Sequence, residues 1–125
     1  MRIKEVEQRT GLTAKAIRLY ESKGLLKPAR ETENDYRDYT EEDVARLKTI
    51  AILRKLDLSV AEIKEWTDGQ SGLSDLLHRV SARGMLETEI ADDRVKLSVE
   101  LLEILKEEPD KPLDEAVAEA EELRG

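Results

Sequence analysis

Thr13-Ala14-Lys15-Ala16-Ile17-Arg18-Leu19-Tyr20-Glu21, then Gly24-Leu25-Leu26, then Asn34-Asp35-Tyr36-Arg37-Asp38-Tyr39, decide the reading of this chain. Thr13 is a preferred N-cap, because its hydroxyl can accept from an unpaired amide of the first turn. Ala16, Ile17 and Tyr20 fall on one helical face, which leaves Lys15 and Arg18 pointing elsewhere. Gly24 stands where a left-handed residue ends a helix. Leu25-Leu26-Lys27 reads as a first strand with Pro28 at its edge. Asn34-Asp35 reads as a turn, and Tyr36-Arg37-Asp38-Tyr39 as the returning strand. A short helix with outward cations, followed by a hairpin with Arg37 between aromatics, suits a groove-reading helix and a phosphate-gripping wing.

Working outward, Ile3, Val6 and Leu12 bracket a first short helix broken at Thr10-Gly11, so the two helices form a helix-turn-helix pair. After the hairpin, Thr40 caps a longer helix with Glu41, Glu42 and Asp43 in its first turn, where the helix dipole favours acids. Its apolar stripe is Val44, Leu47, Ile50, Ala51 and Leu53. Ser59-Val60-Ala61-Glu62 is a capping box opening another short helix that ends near Trp66 and Thr67. Asp68-Gly69-Gln70-Ser71-Gly72 is the best boundary in the chain.

From Leu73 to Glu107 the pattern predicts a helix whose seam runs through Leu76, Val80, Arg83, Leu86, Ile90, Arg94, Leu97, Leu101 and Ile104. That stripe is long for a small monomer and has the spacing of a coiled-coil face. Arg83 and Arg94 interrupt it, and Gly84 is a point where the helix can break. Pro109 and Pro112 stop it. Leu113, Val117, Ala120 and Leu123 mark one face of a short acidic tail. The expected organisation is a head over 1–69, a dimerisation helix region over 70–108 and a tail over 109–125. Dimer contacts are expected at Leu86, Ile90, Leu97, Leu101 and Ile104.

The chain has 125 residues, 40% of them charged and 3% aromatic, with no Phe and no Cys. One domain, or one small domain with an extension, is the expectation. Residues 1–30 hold 8 Lys/Arg against 3 Asp/Glu, a net of +5, whereas 67–125 hold 7 against 16, a net of −9. The basic end can approach a polyanion and the acidic end faces away from it. Without Cys there is no disulfide, thiolate metal site or thiol redox sensor. No apolar run approaches the span of a membrane helix, and no apolar signal segment precedes the first helix. A cytoplasmic location is expected.

The ordered motifs resemble the MerR-type bacterial transcription regulators. The resemblance rests on Ile17-Arg18-Leu19-Tyr20-Glu21 with Gly24-Leu25-Leu26, on Tyr36-Arg37-Asp38-Tyr39, and on Glu42-Asp43-Val44-Ala45-Arg46-Leu47. It continues in Arg54-Lys55-Leu56 before Leu58-Ser59-Val60-Ala61-Glu62-Ile63. The chain departs from the family pattern at Asp35, where Gly usually precedes Tyr-Arg. It departs again at Asp57-Leu58, usually Gly-Phe, and at Leu19, usually Tyr. The resemblance implies a mainly α fold: a winged helix-turn-helix with a small β-hairpin wing, then a long C-terminal coiled-coil dimerisation helix. It also implies a homodimer joined by antiparallel helices on a palindromic promoter operator, distorting the DNA where RNA polymerase binds. Metal- and redox-sensing relatives use cysteines, so no metal or cofactor is expected here. A small pocket near Trp66, a protein partner or no effector all stay open.

The expected DNA contacts are Lys15 and Arg18 from the reading helix, with the base-edge contact not assigned between them. Tyr20 offers a core ring or a hydroxyl for phosphate. Lys27 and Arg30 lie at the base of the wing, with Tyr36, Arg37 and Tyr39 in it. Arg37 is the foremost candidate for phosphate, since its fork suits two phosphate oxygens. Arg54 and Lys55 read equally as a second wing or as helix surface. Trp66 reads as a core ring, His78 as a solvated side chain, and the carboxylates at 87–93 and 100–108 as a solvent face. There is no catalytic triad, phosphate-cradling glycine loop, metal-hydrolase spacing or nucleotide fingerprint, so an enzyme is not expected. The other reading is an architectural DNA-bending accessory, such as a recombination directionality factor with a winged head. The long C-terminal stripe argues against it.

Overall fold

The computed structural model describes residues 1–30, 37–84 and 89–124. Helices dominate: α1 (Ile3–Thr10), α2 (Ala14–Ser22), α3 (Glu41–Lys55), α4 (Val60–Thr67), α5 (Leu73–Gly84), α6 (Glu89–Glu107) and α7 (Leu113–Arg124). Two short strands, β1 (Ala29–Arg30) and β2 (Arg37–Asp38), pair antiparallel, with Ala29 opposite Asp38 and Arg30 opposite Arg37. The turn expected at Asn34-Asp35 lies outside the described residues. None of the helices described is long and apolar enough to cross a membrane.

Helices α2, α3 and α4 are each bounded by a local device that the sequence carries. Thr13 accepts from the Ala16 amide at 3.1 Å, opening α2. Thr40 and Asp43 form a reciprocal capping box on α3, and Ser59 and Glu62 form another on α4. Such caps are worth about 1 kcal/mol each. At the far end of α2, the Leu25 amide bonds the Tyr20 carbonyl and the Gly24 amide bonds that of Glu21, with Gly24 at φ +82°. This is the Schellman pairing, which demands a left-handed residue at Gly24. The end of α3 repeats it with Asp57 in that position at φ +68°, the Asp57 and Leu58 amides bonding Arg54 and Leu53. The pairing recurs after α4 at Gly69 and Gln70.

Leu25 and Leu26 are fully buried rather than forming the expected first strand. The Leu25 amide is committed to closing α2, so the strand pairing starts later, at Ala29. Around α3, whose Val44, Leu47, Ile50 and Leu53 are buried, gather Val6 of α1, Ile17 and Tyr20 of α2 and Ile63 of α4. Full burial of each such aliphatic side chain contributes roughly 1.5–3 kcal/mol before ordering costs. Arg9 of α1 binds both oxygens of Glu41 at 2.5 and 2.6 Å, tying α1 to the start of α3.

The expected single helix over 73–107 is instead two helices packed against each other. Ser81 meets Ser98 at 2.7 Å, while Ser74 and His78 lie beside Leu102, Leu105 and Lys106, so α5 and α6 run antiparallel. Leu76, Leu77 and Val80 of α5 and Leu101 of α6 are buried within the chain. That burial is the physical reason for the packing, and the two arginines that interrupt the stripe add surface pairs to it. Arg83 binds both oxygens of Glu62 at 2.9 and 2.6 Å, and Arg94 lies 3.6 Å from Asp57. Both therefore reach acids of the head instead of breaking an exposed seam. Of the expected dimer contacts, Leu101 is core, and Leu97 and Ile104 are half-buried against it. Leu86 and the Ile90 side chain lie outside what the structure describes. The acidic tail is the helix α7, packed on α3 and α6 with Leu113, Ala116 and Ala120 buried.

Candidate nucleic-acid interface

Helix α2 presents two unlike faces. Ile17 and Tyr20 are buried, while Lys15 and Arg18, three residues apart, are exposed. Among the described residues neither cation has an ion-pair partner. The Tyr20 ring is 8% exposed, which makes it core in this structure. Lys27 is exposed just past α2. Arg30 takes the register position opposite Arg37. Tyr36 lies outside the described residues.

Arg37 is engaged with the protein itself. Its Nε donates to Glu21 Oε1 at 2.5 Å, and the buried Tyr39 hydroxyl donates to the other Glu21 oxygen at 3.4 Å. Burial and then the Glu21 charge push the Tyr39 phenol up, which keeps it neutral and able to donate. Glu21 thus clamps β2 onto α2, and the position of Arg37 is set by the helix that carries Lys15 and Arg18. The Met1 amino group donates to Asp38 Oδ1 at 2.7 Å and to the Tyr39 carbonyl at 2.8 Å, so β2 is also held from the α1 side.

These contacts leave a cavity of about 260 Å³ lined by Arg2, Ile3, Lys4, Arg18, Arg37 and Tyr39. It brings together three predicted residues, Arg18, Arg37 and Tyr39, with two cations that sequence reasoning missed, Arg2 and Lys4. The signal for them was the net charge of residues 1–30, which placed both in a basic segment without saying where they would meet. Lys15 and Lys27 do not line this cavity. Arg54 and Lys55 are exposed at the end of α3, and Arg54 Nη1 donates to the Leu58 carbonyl at 2.9 Å, bracing the turn at Asp57. Trp66 is half-buried against the core, and His78 is exposed. Among the described residues no group of three His, Cys, Asp or Glu is arranged to hold a metal ion.

The head matches a known family over residues 1–70, more than half the chain, by the model described as the MerR HTH family regulatory protein. The chain belongs to the MerR family. It is similar to heavy metal-dependent transcription regulator 2 of Rhizobium meliloti, 40% identical over 61% of this chain and 54% of that protein. It is also similar to nodulation protein NolA of a Bradyrhizobium species, 36% identical over 72% of this chain and 37% of that protein. The transcriptional regulator CueR of Salmonella typhi is 42% identical over 52% of this chain and 47% of its own length. The chain therefore spans about half, or less, of the curated relatives it matches. No solved structure gives a significant match. MerR membership makes α1 and α2 a helix-turn-helix of that family's DNA-binding kind.

Proposed function

We propose that this chain is a sequence-specific DNA-binding transcription regulator that works as a homodimer on a palindromic promoter operator and distorts the DNA. The observation that carries the reading is α2 itself. Its inner face is locked into the head, its ends are capped, and its outer face presents Lys15 and Arg18 free of ion pairs among the described residues. Leu19, 47% exposed on the same helix, adds an apolar group with the chemistry to meet a thymine methyl. The Glu21 clamp sets β2 and Arg37 beside this helix, as a wing must be set to follow the backbone while the helix enters the groove.

Two copies would place two such helices on two half-sites, and two-fold symmetry of the protein would be mirrored in the operator. Apolar surface remains for pairing on α6, where Val99 is 40% exposed and adjoins Leu102 and Leu105. Bending and untwisting a promoter costs a few kcal/mol, which phosphate contacts from two heads would offset. RNA polymerase at that promoter is the expected further partner. The metal dependence in one relative's name belongs to that relative, and no metal enters this reading.

Selection from a random duplex pool tests it. The expected outcome is enrichment of an inverted repeat bound by two chains, with footprint spacing of whole helical turns. Recovery of no preferred sequence, or of a site bound by one chain, would contradict it.

A further inference from the structure

The cavity at the foot of α1 has a composition that the reading helix and wing do not account for. Four of its six lining residues, Arg2, Lys4, Arg18 and Arg37, carry positive charge. Two acids at its walls are already engaged: Glu21 by Arg37 and Tyr39, and Asp38 by the Met1 amino group, which holds its carboxyl below the usual range. Arg2, Lys4 and Arg18 are exposed, and Lys4 and Arg18 have no ion-pair partner among the described residues. At about 260 Å³ the cavity is smaller than the roughly 300–1,000 Å³ that encloses a drug-sized molecule. It suits one compact anionic group. Clustered cations repel one another, and a polyanion relieves that cost.

We propose that this cavity is a backbone-phosphate subsite for duplex DNA, with Arg2 and Lys4 as phosphate-contacting residues alongside Arg18 and Arg37. The proposal rests on the DNA-binding reading above and deepens it. Lys15, outside the cavity, keeps the reading role, whereas Arg2 and Lys4 hold the helix in register without reading sequence. Arg18 sits at the border between the two tasks. The Met1 and Glu21 contacts fix both walls of the subsite, so the phosphate meets cations already in place.

Arg2→Gln and Lys4→Gln remove one positive charge each from the cavity. Dissociation constants of wild type and variants are to be measured on a selected operator and on scrambled duplex, across a salt series. Each variant is expected to weaken both duplexes alike and to flatten the slope of log affinity against log salt by about one unit. Arg2→Lys is expected to keep the wild-type slope. Thermal melts report whether α1 stays folded, and where Arg2→Gln does not fold, Lys4→Gln decides. Wild type binding DNA with an unchanged slope in Lys4→Gln would overturn the subsite and leave the DNA-binding reading standing. Wild type binding no duplex would overturn both.

Discussion

In the head, α2, α3 and α4 open on Thr13, Thr40 and Ser59 and close on the same carbonyl pairing at Gly24, Asp57 and Gly69. In the C-terminal half, α5 and α6 are placed by what they touch: the Ser81–Ser98 contact, the pairing of Arg83 with Glu62, and Leu101 in the core. Local rules specify the first region and tertiary contacts specify the second. The practical consequence is that head helices can be read one at a time, whereas the apolar stripe of 73–107 is equally compatible with a seam between chains and a fold-back within one. Its periodicity reports that one face is buried, not by which surface.

The largest effect should come from the buried seam residue that the fold-back consumes. Leu101→Ala is expected to cost about 2–5 kcal/mol in chemical denaturation, because a fully buried leucine leaves a cavity. Val99→Ala, on the 40% exposed side of the same helix that is proposed for pairing, should cost well under that when the assay is run dilute enough to keep the chain monomeric. Equal losses in the monomer would mean that α6 buries both faces within one chain, and the contrast between its two sides would fail.

A smaller effect should appear where the two regions meet. Glu62 caps α4 and also binds Arg83, and these contacts, the Arg83 hydrogen bond first, pull its carboxyl down to about 2. The folded state thus holds this group ionised at pH values where the unfolded chain protonates it. Its contribution is present above the ordinary carboxylate range and is lost as pH falls through about 2. Arg83→Ala should lower stability by roughly 1 kcal/mol or less at pH 7, because the pair is partly exposed. The gap from wild type should narrow as urea melts are run toward pH 2. A gap that widens on acidification would contradict the sign.

The smallest effect is a gain. Asp57 holds the left-handed position that Gly24 and Gly69 hold elsewhere. Asp57→Gly should stabilise the chain by about 1 kcal/mol or somewhat less, since a left-handed residue with a β-carbon costs roughly 1–2 kcal/mol. The 3.6 Å approach to Arg94 that it forfeits is exposed and worth little. A loss of stability in denaturant titration would show that Arg94 anchors α6 through this acid, moving that contact from the margin to the centre of the fold-back.

These contrasts also explain what was legible beforehand. Thr13, Gly24, Thr40 and the Ser59–Glu62 box act on their own neighbours, so sequence reasoning placed the head helices closely. The first strand was misplaced because Leu25 and Leu26 are equally good as strand or core, and only the closing bond to Tyr20 distinguishes them. Lys15 and Arg18 were readable as an outward face. The cluster of Arg2 and Lys4 with Arg37 was not, since it depends on Met1 and Asp38 meeting across 37 positions of sequence. Arg37 was expected to grip phosphate, held in place by flanking rings, whereas its Nε is also held by Glu21, three residues along α2 from Arg18.

The central claim is that α2 reads sequence while the surface around it grips backbone. Its most direct test is the ratio of affinities for a selected operator and for scrambled duplex at one physiological salt concentration, in wild type, Lys15→Ala and Arg18→Ala. Wild type should prefer the operator by about 10³-fold or more, and at least one alanine variant should lose about 1–3 kcal/mol of that preference. An unchanged ratio in both variants, or a wild-type ratio near one, would contradict the account.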